Sequence, residues 1–293
     1  MATPHGKLVK VAGKNMHIRQ MGCGEKMVVI LPGLNDPLPT VEYAPLMREL
    51  SKKHTVCIVE LFGYGHSDGT DTPRTNENYV NEIREGLAQA GIAPPYVLMP
   101  YSASGIYAEY YAAKYSEEVA GLILLDSTPT IEATAQMFAY TPEDIEEIQS
   151  ASESEETTED VEYDEDIIEQ AIAEYIRHGY TLEELEEIEE TPNHEYTIMS
   201  QDIALSQNIF EVMNMPISKE IPILLFSSAP EDLNEEDMAL VAEFEAQRKA
   251  HITRLGNHAK LVIIKGSTHA DIAYHRDYRN IISQEIDAFL GSL

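Results

Sequence analysis

The chemistry open to this chain rests on Ser102, His269 and one of two acids, Asp126 or Glu231. A serine hydroxyl is a weak nucleophile until a base takes its proton, and a histidine oriented by a carboxylate is such a base near pH 7. Ser102 follows the apolar run Tyr96-Val97-Leu98-Met99-Pro100-Tyr101 and leads into Ala103-Ser104-Gly105-Ile106-Tyr107-Ala108, which continues as a helix. A strand that ends at a serine among small residues and turns directly into a helix exposes the hydroxyl beside the first free N–H groups of that helix. Ser104 is the poorer nucleophile, because Ile106 then falls at the crowded position two residues on. The segment departs from Gly-x-Ser-x-Gly, with Pro100 and Ser104 in place of the two glycines. A buried serine that only caps the helix is the competing reading.

His269 lies one short loop after the apolar run Leu261-Val262-Ile263-Ile264. His275 falls in the helix expected to follow, where it would pack or face solvent, so His269 is preferred as the base. Asp126 closes Leu122-Ile123-Leu124-Leu125, whereas Glu231 and Asp232 follow Ile223 to Phe226 through Ser227-Ser228-Ala229-Pro230. Asp126 is preferred, since a short acid at the tip of the strand next to the serine strand holds an imidazole with little slack; Glu231 is the alternative. A fourth locus is Leu31-Pro32-Gly33-Leu34-Asn35, whose Leu34 N–H can join the Ala103 N–H in holding a negative tetrahedral oxygen.

These loci need a scaffold, and the hydrophobic pattern supplies one. Apolar runs at 8–11, 16–20, 27–31, 56–60, 96–99 and 121–125 alternate, after an opening hairpin, with helical stretches at 45–52, 78–90 and 105–115. That alternation predicts an α/β fold with a mostly parallel sheet, and it sets all four loci at carboxyl ends of strands. From 128 to 220 the alternation gives way to acid-rich helical sequence, read as an inserted cap. Asp166 to Arg177 puts Ile167, Ile168, Ala171, Ile172, Tyr175 and Ile176 on one helical face, and Thr181 with Glu184 forms a capping box ahead of Leu182, Leu185 and Ile188. These stripes are read as the core or underside of the cap, and the polar stretch 150–166 as a mobile connection. Strands resume at 221–226 and 261–265, separated by a long helix at 235–255 that Gly256-Asn257 stops. The division expected is a core of 1–127 and 221–293 interrupted by a cap of 128–220.

With 293 residues, 43% of them hydrophobic, the chain can bury a large core. No apolar run approaches the roughly 18 residues of a membrane span, and Met1 to Lys7 lacks the apolar centre of a signal peptide, so a cytoplasmic location is expected. Cys23 and Cys57 have no paired spacing, which argues against a disulfide framework or a cysteine zinc site. The net charge of −31 is concentrated between Pro142 and Glu190, where 21 acidic residues face Arg177 alone; the rest of the chain holds 30 acidic and 19 basic residues. Such a surface repels nucleic acid and anionic membranes, and it reads as a solvated helical face that aids solubility.

Together, Pro32-Gly33-Leu34, the Ser102 turn and the order Ser102, Asp126, His269 resemble the α/β-hydrolase superfamily over nearly the whole chain. Glu60-Leu61-Phe62-Gly63-Tyr64-Gly65-His66-Ser67-Asp68 is similar to the Asp-x-x-Gly-x-Gly-x-Ser turn common in that group. Leu125-Asp126-Ser127 looks like the subset that places its acid one strand early; many members place it where Glu231 stands. The resemblance implies a helical cap on the core and two-step acyl transfer with neither metal nor organic cofactor. Ser102 would attack a carbonyl, His269 would serve as base and then acid, Asp126 would hold the imidazole, and Leu34 and Ala103 would stabilise the oxyanion. The expected partner is a small-molecule ester or amide. Ser102 at the elbow argues against dehalogenase and epoxide hydrolase chemistry, which needs a carboxylate there. Pro100, Ser104 and Pro32, the last where histidine is frequent, depart from the pattern without removing a catalytic group. The same fold also admits a noncatalytic receptor or interaction module, or an aminopeptidase whose cap carboxylates bind a substrate amino terminus.

Overall fold

The computed structural model describes residues 6–153, 165–189, 191, 194–231, 235–256 and 258–293. Eight strands, β1 (Lys7–Val11), β2 (Lys14–Met21), β3 (Met27–Leu31), β4 (Thr55–Glu60), β5 (Tyr96–Pro100), β6 (Val119–Leu125), β7 (Ile223–Ala229) and β8 (Ala259–Lys265), form one sheet in the order β1-β2-β4-β3-β5-β6-β7-β8. β2 is antiparallel to β1 and β4, and every other pair is parallel. The central strands are continuous Val, Ile and Leu runs buried on both faces, which is what a parallel sheet covered by helices on two sides requires.

Residue alternation divides the core into two layers. Val29, Leu31, Leu98, Leu122 and Leu124 face the helices Asn76–Gln89, Ser104–Lys114 and Glu195–Val212. Val28, Ile30, Val97, Ile123 and Leu224 face Ala44–Leu50, His269–Tyr274 and Arg276–Leu290. Chain order reverses at β3, which lies between β4 and β5, so the loops leaving β3 and β5 diverge and leave a crevice at their carboxyl ends. The Gly33 and Ser102 turns lie there.

Between β6 and β7 the chain forms the helices Glu132–Met137, Pro142–Glu153, Glu165–His178, Leu182–Glu189 and Glu195–Val212, with no strand among the described residues. The capping box is present: Thr181 N–H donates to Glu184 (3.0 Å) and Glu184 N–H to Thr181 Oγ1 (3.2 Å). Leu185 and Ile188 pack on Leu38, Val41 and Tyr180. Tyr175, Ile176 and Leu182 differ from expectation, being 50%, 45% and 55% exposed; periodicity marks an apolar face but does not say what covers it. The side chains of Ile167 and Ile168, residues 154–164 of the expected connection 150–166, and Asp232 and Asn257 lie outside the described residues, while the ends of that connection, 150–153 and 165–166, are helical. The last of these five helices is docked firmly: Thr197 and Thr70 exchange two hydrogen bonds, and Asn208 accepts from Asn76 N–H (3.1 Å).

His275 also departs from expectation. It separates two helices rather than sitting inside one, and its Nδ1 accepts from Asp277 N–H (3.2 Å) as the cap of Arg276–Leu290. Among the described residues no helix is long and apolar enough to cross a membrane.

Candidate active site

Ser102 sits between β5 and the helix Ser104–Lys114 with φ +51, a left-handed backbone unusual for a residue with a Cβ. The turn is held from both sides: Ser102 N–H donates to Leu125 (3.2 Å), and its carbonyl accepts from Thr128 (3.0 Å) and Gly105 (3.1 Å). Close approach of helix and strand is provided by Gly105, three residues after the serine, where an added Cβ would lie 2.5 Å from the Ser127 Cβ. Ser104 is fully buried and its hydroxyl donates to the Pro32 carbonyl, so it ties the elbow to the loop after β3 and is not available as a nucleophile.

The Ser102 Oγ is 3.0 Å from His269 Nε2, and His269 Nδ1 is 2.8 Å from Asp126 Oδ2. A carboxylate only accepts, so the proton sits on Nδ1 and leaves Nε2 to accept from the Ser102 hydroxyl. Asp126 also has a positive φ, +40, at the tip of β6. It takes Ser228 N–H (3.1 Å), the Ser228 hydroxyl (2.7 Å) and the Ser227 hydroxyl (3.1 Å). Burial alone would raise its pKa; the hydrogen bonds and charge of His269, with those of Ser228, outweigh burial and hold it below the ordinary carboxyl value. Glu231 is exposed beside Gly266 and makes no hydrogen bond or ion pair with His269. The Tyr101 ring stacks on the imidazole at 4.7 Å and its hydroxyl donates to the His269 carbonyl (3.2 Å).

Among the described residues the N–H groups of Leu34 and Ala103 have no acceptor, whereas those of their neighbours Gly33 and Asn35 are taken by Asp36 (2.6 Å) and Tyr64 (3.4 Å). Asp36 is the buried anchor of this loop. Its carboxylate also accepts from Tyr43 (2.8 Å) and from Tyr274 (2.8 Å), five residues beyond His269. Burial raises the Asp36 pKa, with the bonds from Tyr274, Tyr43 and Gly33 opposing that rise.

The structure brings the expected Ser102, His269 and Asp126 together, with the Leu34 and Ala103 N–H groups on the neighbouring turns; the residues that orient them were not anticipated. Ser227 and Ser228 carried one signal, their place at the carboxyl end of β7 beside β6. Asp36, Tyr43, Tyr101 and Tyr274 carried none, because their meeting depends on how two helices pack. A cavity of about 480 Å³ opens beside Ser102 and His269, walled by Met137, Phe138 and Phe244 among others.

One group has the composition of a metal site: Glu174, His178 and His275, whose ligating atoms lie within 4.8 Å of one another. Its hydrogen bonds argue otherwise. Both imidazole Nδ1 atoms accept backbone N–H groups, from Arg276 (3.1 Å) and Asp277 (3.2 Å), so each ring carries its proton on Nε2, the atom a metal would need bare. The Arg177 guanidinium already supplies a cation to Glu174 (2.5 Å).

A family model described as the alpha/beta hydrolase fold matches residues 26–155. A Bacillus subtilis protein, YbdG, is 36% identical over 121 residues, covering 41% of this chain and 37% of that protein. A pimeloyl-[acyl-carrier protein] methyl ester esterase of Xylella fastidiosa is 32% identical over 114 residues, 39% of this chain and 41% of that enzyme. The chain thus matches about two fifths of the length of these relatives. The crystal structure of an enol-lactonase from Burkholderia xenovorans LB400 superposes with a TM-score of 0.65 over 97% of this chain and 100% of that one, at 15% identity. Sequence over residues 26–155 and fold over the full length agree, and the chain has the alpha/beta hydrolase fold.

Proposed function

We propose that this protein is a serine hydrolase that cleaves a small-molecule ester or amide through an acyl-enzyme intermediate. The observation that carries the reading is the relay from Ser102 to His269 to Asp126, at 3.0 and 2.8 Å, beside a cavity able to hold a small substrate. In the first step His269 Nε2 takes the hydroxyl proton as Ser102 Oγ bonds to the carbonyl carbon, and Asp126 stabilises the imidazolium that results. The oxyanion accepts from the free N–H groups of Leu34 and Ala103. Collapse of this intermediate expels the leaving group, which takes the proton from His269; a water deprotonated by the same nitrogen then releases the acid and restores Ser102. Relatives named as esterases favour ester cleavage. In this reading residues 128–220 act as a cap on a core of 1–127 and 221–293, and Met137 and Phe138 are among the residues it contributes to the substrate cavity.

Intact mass after brief fluorophosphonate treatment tests the nucleophile, with p-nitrophenyl acetate turnover alongside. The expected result is a single adduct and turnover on the wild type, with both lost in Ser102→Ala. A folded wild-type protein that takes no adduct and turns over no ester would overturn the proposal and leave a binding module as the better account.

A further inference from the structure

The cavity beside Ser102 is apolar over much of its wall, through Pro129, Met137, Phe138, Val241 and Phe244, yet Arg248 also lines it. In a chain with 51 acidic and 20 basic residues, an arginine has many carboxylates available, and Arg48, Arg74, Arg84 and Arg177 each hold one. Arg248 holds none within 4.0 Å among the described residues, although Glu245 lines the same cavity one helical turn earlier. Among those residues its polar contact is a single hydrogen bond, from a terminal nitrogen to the Ser228 carbonyl (3.0 Å). Ser228 is the residue whose N–H and hydroxyl hold Asp126, so this bond anchors the guanidinium in the wall of the cavity that Ser102 and His269 also line. The fork retains further N–H donors with no acceptor among the described residues.

We infer that Arg248 is an anion subsite that selects esters bearing a carboxylate at the far end of an apolar acyl chain. The inference rests on the hydrolase reading and names its substrate class. A half-buried guanidinium matches a carboxylate in two parallel bonds, and the apolar walls fit the carbon chain between the two ends. One cation with Glu245 nearby suits a singly charged group better than a phosphate dianion.

The test measures binding separately from turnover. Calorimetry on the Ser102→Ala protein compares the monomethyl half-esters from succinate to suberate with the matching dimethyl esters, each with and without Arg248→Gln. The expected result is that Arg248→Gln weakens half-ester binding by about tenfold to a hundredfold, as loss of a charge-assisted bond predicts, and changes dimethyl ester binding by less than about twofold. Arg248→Lys should restore part of the loss. Equal weakening of both ester classes would assign Arg248 to holding Ser228 and would overturn the inference, as would no effect or no half-ester binding at all. Half-ester discrimination in binding, with no turnover by the wild type, would support the subsite while removing the hydrolase reading.

Discussion

Ser104 donates its hydroxyl hydrogen to the Pro32 carbonyl, joining the helix that follows Ser102 to the loop that presents the free Leu34 N–H. The serine that replaces a glycine in this elbow therefore sets the distance between the two N–H groups proposed to hold the oxyanion.

Ser104→Ala leaves that buried carbonyl without its donor and should cost about 1–3 kcal/mol, read as a lower urea midpoint at an unchanged slope. Under the proposed reaction it should also lower kcat more than it raises KM, since the loop would be displaced from where charge develops. A variant as stable and as active as the wild type would show that the bond is incidental.

Asp126 gives a prediction in pH. Its folded-state pKa lies below the ordinary value of about 3.9, so its ionised form adds stability that is complete above that value and is lost as pH falls through the folded one. The pH-dependent part of the stability gap between wild type and Asp126→Asn should thus be constant from neutrality to about pH 4 and should close below it. Denaturation midpoints from pH 7 to pH 2 for the two proteins measure this directly. Asn at this position also favours the wrong imidazole tautomer, and under the proposed reaction kcat should fall on the order of 10⁴-fold.

Asp36 reaches both sides of the site, accepting from Gly33 N–H in the oxyanion loop and from Tyr274 in the helix that starts with His269. Asp36→Ala strands three donors in a buried setting, and a loss of about 3 kcal/mol or more is expected. Asp36→Asn retains acceptors for two of them and should recover most of that stability. If Asp36 positions the loop, kcat for the alanine variant will stay low even where both proteins are fully folded, and asparagine will restore it in part.

The strands and the meeting of Ser102, His269 and Asp126 were legible because they follow short-range rules: β-branched runs of strand length, an apolar run ending at a serine, and polar residues at strand ends. Met27–Leu31 and Glu235–Leu255 fall where periodicity put them. What stayed hidden depends on packing between distant segments. Asp36 meets Tyr274 across 238 positions, and Ser228 meets Asp126 across 102. The break at His275 was hidden too, because a histidine carries no strong stop signal and its capping role appears only with the Asp277 N–H in place. The preference for Asp126 over Glu231 rested on position alone, since both follow strands; the His269 contact and the donors of Ser227 and Ser228 distinguish their surroundings.

The most consequential buried charge lies one layer behind the site. Glu109, in the helix that begins at the elbow, is fully buried, accepts from His251 (2.7 Å) and Thr130 (2.6 Å), and pairs with Arg254. His251 and Arg254 belong to the helix Glu235–Leu255, which also carries Arg248, so Glu109 holds the cavity wall against the helix that follows Ser102. Removing one partner of such a group leaves an uncompensated charge, whereas removing all of them can be nearly neutral. Glu109→Leu should therefore cost about 3–5 kcal/mol, while Glu109→Leu combined with His251→Phe and Arg254→Met should recover most of it. Urea titration of the single and triple variants reads both numbers. If the triple variant is restored in stability but not in ester turnover, the polar network sets the placement of the cavity wall; if turnover returns as well, it serves only to keep Arg254 neutralised.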